Sequence, residues 1–245
     1  GMHWLSTSFD VPGLITASVT VCRQADHAIT GNAIDSPPHP AAIRLAVPAN
    51  LRDMGVDDGI CDLFDACRAA MTRAGVTIEE IPLTSLMDSA RIAAEGGIIG
   101  TEAYALHRAH LATDFDRYDP VVATRLLHGQ ENPACHYTKA LRALCACRDR
   151  FDREIKGYDG FLLPTVPLWP PEVEDLRDEA TYLTLNRRAF SLTEFANRLD
   201  LPSISLPVGK FPVGLMLTGK RGSDNALLAM ASVLEPLAAI LHQPG

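Results

Sequence analysis

The chain has 245 residues, 47% of them hydrophobic and 21% charged, with 22 Lys and Arg against 30 Asp and Glu for a formal net charge of −8. That is ordinary for a globular protein long enough to bury a core without metal or disulfide support. The acidic balance excludes nucleic acid and anionic membrane as partners, since both demand a basic surface, and leaves small molecules and proteins.

The start, Met2-His3-Trp4-Leu5-Ser6, has neither the basic nor the apolar region of a secretory signal. Residues 16–29, with Val19, Cys22 and Ala25 on one face, predict a helix, and Asn32 to Pro40 a proline-rich loop. Ile43 to Val47 reads as a strand. A second helix follows, with Asp57 as its cap, Ile60, Phe64, Cys67 and Met71 as its apolar stripe, and Gly75 placed to end it. Val76 to Ile81 then returns as a strand. Strand, helix and strand form a βαβ unit over residues 16–82, the mark of parallel strands covered by helices.

Residues 83–156 read as a helical cover. Asn132-Pro133 starts its longest helix, which carries Tyr137, Leu141, Leu144, Arg148 and Phe151 along one side. The α/β pattern resumes over residues 157–245. Phe161 to Pro164 is a short buried strand ending in the loop Thr165 to Pro171, and Glu172 to Glu179 is a solvated acidic segment. A helix from Asn186 to Leu199 precedes two apolar runs, Ser203 to Leu206 and Val213 to Leu217, joined by the turn Pro207 to Pro212 as a hairpin. Ser223, with its hydroxyl as cap, starts the last helix, and Asp224 sits at the positive end of its dipole. The apolar tract from Ala226 to Leu241 is too short to span a bilayer and is interrupted by Glu235 and Pro236.

The six cysteines, Cys22, Cys61, Cys67, Cys135, Cys145 and Cys147, show no Cys-x-x-Cys spacing. They read as free thiols of a protein in the reducing cytoplasm.

Three separated segments resemble one known family. Ser6-Thr7-Ser8-Phe9-Asp10-Val11-Pro12-Gly13, followed by Leu14 to Val19, is similar to a stretch in which serines precede Asp-Thr-Pro-Gly and Arg-Ser-Val. Tyr158-Asp159-Gly160-Phe161-Leu162-Leu163-Pro164-Thr165-Val166-Pro167 matches a "YDALLLPTxP" pattern. Asn186, Phe190, Asn197, Leu201 to Gly209 and Pro212 to Leu217 resemble a closing hairpin of "LPxxSLPxG" and "PVGLQL" strands. The chain thereby resembles the carboxyl-terminal part of the amidase-signature family. The resemblance implies a mixed β-sheet covered by helices, an α/β fold present here as a single incomplete domain over residues 1–245. It also implies a small-molecule amide as substrate and no cofactor.

The same resemblance implies a catalytic apparatus that this sequence does not display. Family members hydrolyse carbon–nitrogen bonds with a Ser–cis-Ser–Lys triad whose Gly/Ser-rich loop also supplies the oxyanion hole, and that loop precedes the segment resembling Ser6 to Val19. Here five residues precede Ser6. The glycine run Glu95-Gly96-Gly97-Ile98-Ile99-Gly100 lacks serine, and Lys139, Lys156, Lys210 and Lys220 all lie far downstream. No catalytic residue is therefore assigned, and the chain by itself is expected to be inactive.

Two positions stand as substrate-binding candidates. Thr165 ends a strand where α/β sheets place ligands, although Pro164 and Pro167 could merely stop the strand. Asn186 either projects into the same cleft or caps a helix. Glu102, His107 and Arg108 read as exposed polar positions. His110 and Asp114, at i and i+4, lack a third ligand, so no metal is assigned. Ser6, Thr7 and Ser8 read as a turn leading to Asp10 rather than as nucleophiles. Removal of half of the family's fold would bare apolar surface, so a homodimer is expected. The rival expectation is a non-catalytic binding or self-associating protein derived from an amidase.

Overall fold

A computed structural model of the protein describes residues 3–239. The chain divides into two compact units. One holds the chain up to Pro12, Thr84–Phe151 and Asn197–Asp200, and the other holds Gly13–Leu83, Asp152–Ala196 and the chain from Leu201.

The second unit contains a five-stranded mixed sheet. β1 (Arg44–Pro48) and β2 (Thr77–Ile81) run parallel, joined by α2 (Asp58–Arg73). The predicted stripe Ile60, Phe64, Cys67 and Met71 is buried throughout, and burial pushes the Cys67 thiol up to about 11. Gly75, at φ +103°, ends the helix through a bond from the Val76 N–H to the Met71 carbonyl. β3 (Gly160–Pro164) pairs parallel with β1 on its other side, while β5 (Gly214–Gly219) pairs antiparallel with both β3 and β4 (Ser203–Pro207). The order is β2-β1-β3-β5-β4.

Sequence and position agree. The inner strands are almost wholly buried and read as continuous apolar runs. The edge strand β2 carries Glu79 and Glu80, paired with Arg44 and Arg68, charges that discourage a further strand from adding. Helices cover the sheet, among them α2 and α9 (Asp224–Ala239), and α1 (Val19–Thr30), capped by the Ser18 hydroxyl, packs against α9. The Glu235 carboxylate in α9 accepts the Val19 N–H of α1 at 3.0 Å. Of the predicted α1 face only Val19 is fully buried. Residues 240–241, the end of the apolar tract, lie outside the described residues. Among the described residues no helix is long and apolar enough to cross a membrane.

Three local expectations need correction. The helix expected from Asn186 to Leu199 is two helices, α7 (Glu179–Phe190) and α8 (Glu194–Leu199). Asp178 accepts the Thr181 N–H and hydroxyl and so starts α7 inside the segment read as solvated. The Ser191 hydroxyl then donates to the Arg188 carbonyl at the break. Asp57 holds the cap position of α2 but makes no side-chain cap bond. The Ser223 hydroxyl donates to the Lys220 carbonyl, while the Ser223 carbonyl accepts the Leu227 N–H.

The first unit is helical, as expected of residues 83–156. It holds α3 (Thr84–Gly96), α4 (Ile98–Thr113), α5 (Pro120–Leu127) and most of α6 (Ala134–Glu154). Phe9, Ala93, Ile98, Ala140 and Leu144 form one core cluster, with Ile92, Tyr137 and Leu141 against it. Ala103, Leu111, Ala123 and Leu126 form another. Gly97, at φ +56°, turns the chain between α3 and α4, and the Asn132 amide beside it donates to the Gly96 carbonyl and to Thr101 Oγ1.

Candidate active site

Thr165 follows the last residue of β3. Its N–H donates to the Gly214 carbonyl at 2.8 Å, and its Oγ1 lies 2.6 Å from Ser205 Oγ on β4. This hydroxyl pair exists because residue 214 is glycine: a Cβ there would sit 2.3 Å from Ser205 Oγ and 2.6 Å from Thr165 Oγ1. Thr165 is half-buried and Ser205 exposed, so the pair can offer hydrogen-bond capacity to a polar ligand at the end of the sheet. Ser205 was missed from sequence, although the alternation Ser203-Ile204-Ser205-Leu206 places both serines on one face of β4.

Asn186 lies in the interior of α7, half-buried, and is not a helix cap. Among the described residues no hydrogen bond joins it to Thr165. Arg188 of α7 reaches α2: its Nη2 donates to Asp57 Oδ1 at 2.8 Å and to the Gly55 carbonyl at 3.0 Å. The other Asp57 oxygen accepts the Trp169 N–H at 3.3 Å, and the Asp57 N–H donates to the Pro167 carbonyl. Asp57 therefore pins the loop after β3 to the first turn of α2 and anchors α7. Its helix-cap signal concealed this role, because the capping preference says nothing about a partner 131 residues away.

In the first unit the serines form the expected turn. The Ser6 carbonyl accepts the Phe9 and Asp10 N–H groups, and the Asp10 carboxylate accepts the Leu5 and Ser6 N–H groups. Glu102, expected to be exposed, is instead buried at 6% exposure and gathers this turn. It accepts the Ser6 hydroxyl at 2.6 Å, the Ser8 N–H at 2.9 Å, the Ser8 hydroxyl and the Tyr137 hydroxyl at 2.7 Å. Burial pulls the Glu102 carboxyl upward, but the donors from Ser6, Ser8 and Tyr137 outweigh it and hold the group below the ordinary carboxylate range. Burial, and then the Glu102 carboxylate, raise the Tyr137 phenol. His107 is half-buried against the Tyr118 hydroxyl at 2.9 Å, while Arg108 is exposed as expected. Among the described residues no group of three or more His, Cys, Asp or Glu is placed to hold a metal ion, His110 and Asp114 included.

The Amidase family model matches residues 1–228. The chain belongs to the Amidase family. Among curated relatives, the amidase-like chain is 27% identical to the 2-amino-5-chloromuconic acid deaminase of Comamonas testosteroni over 99% of its own length and 54% of that protein's. It is 26% identical to a subunit of the glutamyl-tRNA(Gln) amidotransferase of Halobacterium salinarum, over 79% of this chain and 51% of the relative. A crystal structure of an amidase superposes with a TM-score of 0.79 at 21% identity, covering 90% of this chain and 51% of that one, and shows that the fold is shared. The chain spans about half the length of the curated relatives it matches.

Proposed function

We propose that this chain is part of a hydrolase of carbon–nitrogen amide bonds, that it forms one incomplete amidase-like domain contributing a cleft wall with Thr165 and Asn186, and that by itself it turns over no amide. The observation that carries this reading is the engagement of its serine turn. The Ser6 and Ser8 hydroxyls both donate to a carboxylate, and the N–H groups of Leu5, Ser6, Ser8, Phe9 and Asp10 are all bonded within the turn or to Glu102. Such a turn has no cradle for a developing oxyanion. Among the described residues no lysine amine bonds a serine hydroxyl, so none is poised as a base. The cytoplasm is the proposed location, supported by six unpaired cysteines.

Screening the chain against simple aliphatic and aromatic amides should give no turnover above background. Turnover that survives repurification and is lost in Ser6→Ala or Ser8→Ala would overturn the proposal. Reading the DNA upstream of Met2 separates the two forms of it. An in-frame Gly/Ser-rich loop preceded by a lysine identifies a longer enzyme, and a stop codon identifies a non-catalytic binding or self-associating protein derived from an amidase.

One observation favours self-association. α7 has no buried residue and leaves Tyr182, Leu183 and Phe190 exposed, an apolar helix face of the kind normally covered. A two-fold homodimer is the simplest cover. Light scattering at micromolar concentration should show a concentration-dependent doubling of mass. A strictly monomeric species at every concentration would remove the dimer from the proposal.

A further inference from the structure

The loop after β3 and the β4–β5 hairpin meet twice. Thr165 joins Ser205 and Gly214, and four residues on from Thr165 the Trp169 ring packs edge-on against Phe211, with centroids 6.5 Å apart and planes at 63°. Both rings stay open to solvent, Trp169 at 36% and Phe211 at 42%. Backbone contacts hold both in place. The Trp169 N–H is tied to Asp57, and its indole lies on the first turn of α2, where a Cβ on Gly59 would come within 3.3 Å of Nε1. The Phe211 N–H donates to the Val208 carbonyl, and Pro212 follows it. Two exposed rings already in contact at a steep angle, on backbone fixed by these bonds, form an apolar corner present before binding. The neighbouring guanidinium, Arg188, is neutralised by Asp57 at 2.8 Å, so the corner has no unpaired Arg188 charge to recruit an anionic group.

We propose that Trp169 and Phe211 are specificity-determining residues that select an amide whose acyl part carries an aromatic ring, the ring entering the corner and the amide facing the Thr165–Ser205 hydroxyls. This inference rests on the reading of Thr165 as part of an amide cleft, and the two fail separately. Trp4 and Trp169 are the two tryptophans, so a Trp4→Phe background leaves Trp169 as sole reporter. In that background 3-phenylpropanamide should give a saturable fluorescence change, and butanamide a response at least about tenfold weaker. Phe211→Leu, which keeps an apolar side chain but not the ring, should weaken the aryl amide about tenfold with an unchanged circular dichroism spectrum. Equal affinity for the two amides, an unaffected Phe211→Leu, or no saturable response to the aryl amide overturns the aromatic selection. Retained aryl binding that ignores Thr165→Val, yet falls in Phe211→Leu, sustains the corner and removes Thr165 from the cleft.

Discussion

Replacing Glu102 by Ala should destabilise the helical unit by about 3 kcal/mol, because it leaves the Ser6, Ser8 and Tyr137 donors without their shared acceptor in a largely buried site, and each such orphan costs roughly 1–3 kcal/mol. Glu102→Gln keeps one acceptor but turns an amide N–H toward hydroxyls that need an acceptor, so a loss of about 1–2 kcal/mol is expected. Trp4 lies two residues before Ser6. With Trp169 changed to Phe it reports this turn alone, and urea unfolding followed by its fluorescence measures both losses. A Glu102→Ala midpoint within error of the parent would mean that water satisfies the four donors and that the carboxylate holds nothing together.

The same group sets a pH dependence. Its carboxyl lies below the ordinary range in the folded chain, so the unfolded chain binds the proton more readily and stability rises with pH between the two values. The contribution is complete above the unfolded carboxyl's pKa, about 4.3. It is lost as pH falls through the lower folded value. In Glu102→Gln that acid limb should be shallower than in the parent.

Glu102 also marks where the sequence was hard to read. A glutamate on a helix is almost always solvated, and the partners that overrule this lie 96, 94 and 35 residues away, with no local period to announce them. The βαβ unit was legible because Ile60, Phe64, Cys67 and Met71 repeat at helical spacing between two apolar runs, and those same residues are buried. The hairpin was legible from its turn residues. Its strand β5, however, extends to Gly219, beyond the expected Leu217, because pairing with β3 continues to Gly160 opposite Gly219. At the candidate cleft Thr165 could be placed from the end of its strand, whereas Ser205, Asp57, Arg188 and Trp169 assemble there only through tertiary contacts. The early start of α7 was concealed for a related reason: Asp178 caps it within an acidic run that is solvated as expected, and solvation alone does not announce a helix start.

The glycine run from Gly96 to Gly100 gives the other large expected effect. A run of this kind could be mistaken for a ligand cradle, yet its surroundings show close backbone packing. Gly100 on α4 faces Gly129, in the turn after α5. A Cβ on Gly129 would lie 1.9 Å from the Gly100 carbonyl oxygen, 2.5 Å from its carbon and 2.9 Å from Tyr104 Cβ. Two of those three neighbours are backbone, which cannot swing away as a flexible side chain does. Gly129→Ala should therefore force α4 from the turn and cost about 3 kcal/mol or more, at or beyond the upper end of ordinary overpacking. For a chain of this length that lowers the melting temperature by roughly 6–12 °C. Gly13→Ala is the matched control, since nothing lies within 4 Å of a Cβ there, and it should melt with the parent. If Gly129→Ala and Gly13→Ala melt together, α4 has room to move, and the contact between Gly100 and Gly129 does not set the packing of the helical unit.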